Sequence, residues 1–525
     1  MARSPGSAAR LALACASGAL YFACLPPLAL APLGFVALAP LTLAVRGASR
    51  VAAAALGWAA GTIACTALVA PSVDAAGRLY FGLGPGAAAA SGIVAAQVYG
   101  VAYFALFGLA AREICARRPP GPASAMLVAA AWVACDFARA TVGDGVPWVL
   151  LAHSQLAHPW ALQLADVAGA AGPSFVLALA SAAIAGIAAS DRRGAALARI
   201  GGPAIAVVAA AALYGWTALA RWAPAAAVDE RAEEARVRVA LVQGALPESW
   251  RSSLAFLPQA LERMNELTRA ALADRPDLVV WPENAVTVSV DANPAAFAAI
   301  DRVLPPETRL LVGGPRAVAV ANGRAEIRNA AVLLAPGGRV VGAYDKRVLT
   351  PWAETAPWPA VVGQLVRPRR PDDYAAGDRS PLLEVKGHRF GVLICSEGLY
   401  ADLARERVRD GAELLVAIAN DGWFGGRAAR EQHLAAVALR AIETRRFLVR
   451  ATTSGITAVI APTGEIVERA PPERPAAIAG AIAPNAVVTP YVRWGDAFAW
   501  ASVVAAIAGM LPLGAGKRLR EETLA

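Results

Sequence analysis

The 525-residue chain is long enough for more than one structural unit, and 57% of it is hydrophobic while only 17% is charged. Soluble chains carry roughly 25% charged residues, so a wholly soluble protein is excluded and a large part of this one is expected in lipid. The net charge of +9 lies largely in short segments beside apolar runs. No zinc-finger, RNP or basic-helix pattern accompanies it, which argues against a nucleic-acid partner.

Taken from the N-terminus, apolar segments fall at roughly 11–24, 28–45, 51–70, 87–110, 124–138, 164–189 and 203–221, with a further one at 496–514. Several reach the ~20 residues that span a hydrocarbon core. The sequence therefore predicts seven transmembrane helices within 1–221 and an eighth at 496–514. Arg3 and Arg10 before the first segment resemble a signal peptide's charged start, but the apolar segments that follow at once favour a retained helix. With the N-terminus in the cytoplasm, Arg46, Arg50, Arg112, Arg117, Arg118, Arg192, Arg193, Arg199, Lys517, Arg518 and Arg520 fall on that side. The opposite short loops carry only Arg78 and Arg139. This bias places both termini in the cytoplasm and the region between helices seven and eight on the far side.

Residues 222–235 read as a linker, and 236–485 change in texture to short apolar runs, amphipathic helices and Gly/Pro turns. Runs at 237–242, 278–281, 310–312, 330–334, 390–394, 414–418, 447–451 and 457–460 predict buried strands. Pro336-Gly337-Gly338 predicts a hairpin turn. The stretches 252–273 and 427–443 have helical periodicity, 355–380 is a Pro- and Arg-rich insertion, and 515–525 is a tail. The expected class is a multi-pass α-helical membrane domain joined to an α/β domain of ordinary size.

Three strand-like runs in that domain each end in a reactive side chain: Leu278 to Glu283, Val340 to Lys346, and Phe390 to Cys395. Cys15, Cys24, Cys65, Cys115 and Cys135 lie in or beside apolar N-terminal segments, so Cys395 is the lone thiol of the polar region. Neither a disulfide framework nor zinc spacing is present, and His153, His158, His388 and His433 form no metal pattern. No metal or cofactor is expected. A thiol mostly protonated at neutral pH needs a base and gains from a nearby cation. Glu283 is the candidate base. Lys346 is the candidate cation for the thiolate and the oxyanion, and a backbone N–H just after Cys395 is a second oxyanion donor.

The ordered Glu, Lys and Cys resemble the nitrilase (carbon–nitrogen hydrolase) superfamily, whose triad sits on a four-layer αββα sandwich. With membrane segments around that domain, the chain resembles the bacterial apolipoprotein N-acyltransferase family over nearly its whole length. Val242-Gln243-Gly244, Pro351-Trp352-Ala353-Glu354, Asn420 to Gly425, Gln432-His433-Leu434, Arg450 to Thr457, Pro147-Trp148 and Ser154-Gln155 carry the likeness further. The resemblance implies a ping-pong N-acyltransferase of the bacterial inner membrane, its catalytic domain on the outer face. A phospholipid would acylate Cys395, and the α-amino group of a diacylglyceryl apolipoprotein would take the acyl chain. It implies supporting roles for Glu354, towards Lys346, and for Glu397. Trp423, Phe424, Ser396 and Trp148 become candidates for the substrate pocket, and a monomer is expected. Ser396 stands where the family usually has an aromatic residue, Val348 where it often has histidine, and Asp136 where glutamate is common. The first two departures bear on acyl preference or rate. A membrane-tethered amidase or nitrilase, and a non-catalytic lipid- or lipoprotein-binding paralogue, are the alternatives.

Overall fold

Ser49 begins a 31-residue helix of the N-terminal half by accepting the Ala52 N–H on its side chain, a cap that satisfies a donor the first turn leaves open. The computed structural model of the protein describes residues 6–223, 234–247, 254–290, 304–319, 325–356, 374–378 and 381–512, with Asn293, Phe297 and Arg302 between them. Most of the expected linker 222–235 and of the insertion 355–380 lie outside the described residues. So do the tail 515–525, the first residues of the 252–273 helix, Arg3, Lys517, Arg518 and Arg520.

Six described helices are long and apolar enough to cross a membrane: α1 (Ser7–Cys24), α3 (Arg50–Tyr80), α4 (Pro85–Arg117), α5 (Pro122–Thr141), α6 (Ala171–Ala188) and α7 (Arg193–Trp222). The expected segment 28–45 is not one continuous helix. Pro32 and Pro40 interrupt its pattern, leaving a 3-10 turn at Ala31–Phe35 and the short α2 (Ala39–Val45). The last apolar segment is likewise short, at Ala497–Met510. Small residues let these helices approach closely. A Cβ on Gly57 of α3 would collide with the Phe104 carbonyl of α4. At one end of the bundle the basic residues meet the turns of neighbouring helices. Arg10 donates to the Ala44 and Arg46 carbonyls, Arg112 to Ala48, Arg118 to Ala508 and Arg199 to Pro120, while Glu113 pairs with Arg50, Arg112 and Arg117.

The polar half begins with β1 (Val237–Gln243), α8 (Leu257–Ala271), β2 (Leu278–Val280), β3 (Arg309–Ala319), β4 (Ala325–Ala335) and β5 (Arg339–Asp345). It continues with β6 (Leu383–Val385), β7 (His388–Ile394), α9 (Ala401–Arg409), β8 (Leu414–Ala419), α10 (Arg427–Thr444), β9 (Leu448–Thr452), β10 (Ala458–Ile460), β11 (Ile466–Arg469) and β12 (Ala476–Ile482). These make two six-stranded sheets, ordered β12-β1-β2-β3-β4-β5 and β11-β10-β9-β8-β7-β6. The period of two along each strand sorts side chains into layers. Val237, Val239 and Leu241 of β1 meet Val392, Val416 and Val449 between the sheets. Ala240 and Val242 face Met264 of α8, while Leu393 and Leu415 face Leu403 of α9 and Leu434 of α10. The order is therefore helix, sheet, sheet, helix, as the αββα expectation requires. The Pro336–Gly338 turn joins β4 to β5 as a hairpin, with Gly337 and Gly338 both at positive φ.

Candidate active site

Glu283, Lys346 and Cys395 lie just beyond the ends of β2, β5 and β7 and are all buried. Gly313 on β3 makes room for the first. A Cβ there would stand 2.7 Å from the Glu283 Cα, so the neighbouring strand must be bare at that point. One Glu283 oxygen accepts from Asn329 Nδ2 at 2.7 Å, and the other from the Asn420 backbone N–H at 2.8 Å. Lys346 Nζ is 3.5 Å from Glu283 Oε1 and 2.7 Å from Glu354 Oε2. Asn329 Nδ2 also donates to Glu354 Oε1 at 2.9 Å, and the Thr350 N–H donates to Glu354 Oε2 at 2.8 Å. The ammonium thus sits between two carboxylates whose other lone pairs are taken by amides.

Burial opposes the charge on Lys346, yet Glu354, Glu283 and the Cys395 sulfur together hold its amine well above the usual lysine range. Burial likewise opposes ionisation of Glu354, but the lysine beside it keeps that carboxyl below the usual range. The Cys395 thiol is pushed far up, first by burial and then by the Glu283 charge, with Lys346 pulling the other way. At neutral pH the resting pair is a thiol and a cation, so acylation needs the proton removed as the bond forms. Cys395 has φ +53, a left-handed conformation rare outside glycine, and opens the 3-10 turn Cys395–Leu399.

Glu397 lies in that same turn, fully buried, and joins the two sheets. Its Oε2 accepts the Ile394 N–H at 2.8 Å. Its Oε1 accepts from Tyr344 Oη at 2.9 Å and from the N–H groups of Arg347 and Val348 at 2.7 and 3.1 Å. Burial raises the Glu397 carboxyl, and the three backbone donors restrain the rise. A single carboxylate therefore ties the turn that carries Cys395 to the segment that carries Lys346. The Ser396 hydroxyl lies 3.1 Å from Thr350 Oγ1, which in turn accepts from Lys346 Nζ at 3.4 Å.

The sequence-predicted residues fall into two groups. Glu283, Lys346, Glu354, Cys395, Ser396 and Glu397 converge, and Trp423 packs against the inter-sheet core that includes Cys395. Phe424 and Trp148 instead meet one another, 5.3 Å apart, around His433. Trp148 Nε1 also donates to Gln432 Oε1 at 2.7 Å, so this aromatic group joins the bundle to the sandwich. His433, one of the four histidines that form no metal pattern, is buried with Nδ1 2.9 Å from Asp421 Oδ1. Arg450 donates to Asp421 Oδ2 at 2.8 Å. Burial disfavours the Asp421 charge, but Arg450 and His433 drive its carboxyl far below the usual range. Sequence reasoning gave no role to Asn329, Asn420, Tyr344 or Thr350. For Asn329 one signal existed, an amide followed by the apolar run Ala330–Leu334 on the same strand.

Compared with known proteins, residues 238–489 match the carbon–nitrogen hydrolase family, and residues 17–183 match the apolipoprotein N-acyltransferase N-terminal domain. The chain is 31% identical over 511 residues to the apolipoprotein N-acyltransferase of Geobacter metallireducens, covering 94% of this chain and 93% of that one. It is 32% identical over 496 residues to the apolipoprotein N-acyltransferase of Azotobacter vinelandii, covering 92% and 91%. A carbon–nitrogen hydrolase structure from Helicobacter pylori is 16% identical, covers 47% of this chain and 89% of its own, and gives a TM-score of 0.36.

Proposed function

The chain belongs to the apolipoprotein N-acyltransferase family, and from that premise we propose that Cys395 carries an acyl group from a membrane phospholipid to the α-amino group of a diacylglyceryl apolipoprotein. The protein is a multi-pass bacterial membrane enzyme. The observation that carries the catalytic assignment is the placement of Lys346 between Glu283 and Glu354, with the turn that carries Cys395 tied to the lysine segment through Glu397.

Glu283 takes the thiol proton as the sulfur attacks the ester carbonyl of the phospholipid. The carbonyl π electrons move to oxygen, and the Lys346 ammonium stabilises that oxyanion. Collapse expels the glyceryl alkoxide, which takes the proton from Glu283 and leaves as lysophospholipid. In the second half, Glu283 takes a proton from the attacking amine, the tetrahedral intermediate collapses to the amide, and the proton returns to the Cys395 thiolate. Glu354 keeps Lys346 charged and in place. Glu397 holds the Cys395 turn against the lysine segment. Ser396 and Trp423 border the acyl group, while Trp148 and Phe424 seat the sandwich on the bundle.

The orientation reading rests on the arginines gathered at the bundle end away from the sandwich. That end is cytoplasmic, with both termini, and the catalytic domain is on the outer face. The two shorter apolar segments complete eight crossings. Holding the site at the surface where both substrates are anchored raises their local concentration and limits their orientations. The test is transfer of a labelled acyl chain from phospholipid vesicles to a synthetic diacylated lipopeptide with a free amino terminus. Labelled triacylated product from the wild type and none from Cys395→Ala is expected. Release of free fatty acid alone would mark a hydrolase, and no turnover by folded protein a binding paralogue.

A further inference from the structure

The long helix α3 does more than cross the membrane. Its 31 residues extend about 46 Å at 1.5 Å each, well beyond the roughly 30 Å hydrocarbon core. The excess carries its C-terminal turns to the loop that follows β8. There Tyr80 stacks on Trp423 at 4.6 Å between ring centroids, inclined by 32°. A Cβ on Gly425, which has φ +65, would collide with Ala75 of the same helix, so the loop is seated on α3 at a second point. Tyr80 Oη also lies 3.2 Å from Asn420 Nδ2.

The direction of that last hydrogen bond is fixed. Asn420 Oδ1 accepts the Gly422 backbone N–H at 3.1 Å and the Thr453 hydroxyl at 2.8 Å. A backbone N–H only donates, so the amide oxygen must face Gly422 and the amide nitrogen must face Tyr80. Tyr80 is therefore the acceptor and the Asn420 amide nitrogen the donor. The same residue's backbone N–H donates to Glu283 Oε2 at 2.8 Å. A membrane helix thus reaches the carboxylate assigned as base through one intervening residue.

We propose that Tyr80 is a positioning residue for acyl transfer, holding Asn420 so that its N–H fixes Glu283 in line with the thiol. The inference rests on the reading of Glu283 as the base. It ties the chemistry to correct seating of the sandwich on α3, because a sandwich displaced from that helix loses the acceptor that orders Asn420.

The experiment uses the full chain in phospholipid nanodiscs and two acyl donors. p-Nitrophenyl acetate is soluble and needs no lipid access, and its burst reports thiol acylation directly. Labelled phospholipid reports the natural half-reaction with its KM. Tyr80→Phe keeps the ring on Trp423 and removes the hydroxyl that accepts from Asn420. It is expected to slow both acylations about five-fold, the size of one ordinary hydrogen bond, with the phospholipid KM unchanged. In an Asn420→Ala background the same change is expected to add nothing. A wild-type burst in Tyr80→Phe, a raised KM with an unaffected burst, or full additivity with Asn420→Ala would each overturn the proposal. Glu283→Gln is the companion control. If it abolishes the burst while Tyr80→Phe is silent, only the role of Tyr80 falls; if it leaves the burst intact, the base assignment falls and takes this inference with it.

Discussion

Along α3 and α4 the contacts are made by what is missing, since the Phe104 carbonyl occupies the space that a side chain on Gly57 would need. Across the sandwich the contacts are made by charge. Glu283, Lys346, Glu397, Asp421 and Arg450 are each 1% exposed or less and bonded to one another or to backbone amides. Lipid is as apolar as a leucine side chain, so helices there gain by close packing rather than by burial. The sandwich buries enough apolar surface between its sheets to hold desolvated charges, and such charges are costly unless paired. Chemistry that needs a cation and a base in a dry site therefore belongs to the second region. The first supplies location and, at Tyr80, alignment.

Breaking a buried charge should have the largest effect. Lys346→Met leaves Glu283 and Glu354 facing one another without their cation, and acyl transfer is expected to fall about 100- to 1,000-fold in the vesicle assay. The same substitution sharpens the electrostatic account through pH. Titrating Cys395 with iodoacetamide should give a midpoint above the ordinary thiol value of about 8.5. Lys346→Met should move the midpoint further up, since a cation is lost. Glu283→Gln should move it down, since an anion is lost, even while acyl transfer fails. A midpoint unmoved by either change would contradict the coupling. Glu397→Gln keeps the shape but weakens the tie between the two sheets. A loss of about 10- to 100-fold in acylation is expected, with the fold retained by circular dichroism. Arg450→Met strips Asp421 of its guanidinium and should cost about 3–5 kcal/mol, read as a fall in thermal midpoint in detergent. Gly57→Ala, which touches no charge, should cost about 1–3 kcal/mol by overpacking and leave the Cys395 midpoint where it was. A larger rate effect from Gly57→Ala than from Lys346→Met would invert the comparison.

Hydropathy made most of this legible in sequence. The runs predicting β1, β2, β7, β8 and β9 lie within a residue or two of the strands, because each is buried on both faces over most of its length. The missed strands lack that signature. β11 is largely exposed at a sheet edge, and β12 reads Ala-Ala-Ile-Ala-Gly-Ala-Ile with too little contrast between its faces. Glu283, Lys346 and Cys395 stood out because a reactive group ends an apolar run. Asn329 and Tyr80 did not, since their partners are 46 and 340 residues away in the chain. The Asn420 N–H on Glu283 was also hidden, because a backbone donor leaves no mark on residue type.

The most direct test of the central claim is the mass of Cys395 after brief exposure of the full chain to phospholipid with an isotopically labelled acyl chain. A hydroxylamine-sensitive acyl adduct on Cys395, chased off by a diacylated lipopeptide and absent in Lys346→Met over the same interval, is the predicted result. Labelled triacylated lipopeptide formed with Cys395 never acylated, or formed equally well by Cys395→Ala, would contradict the account.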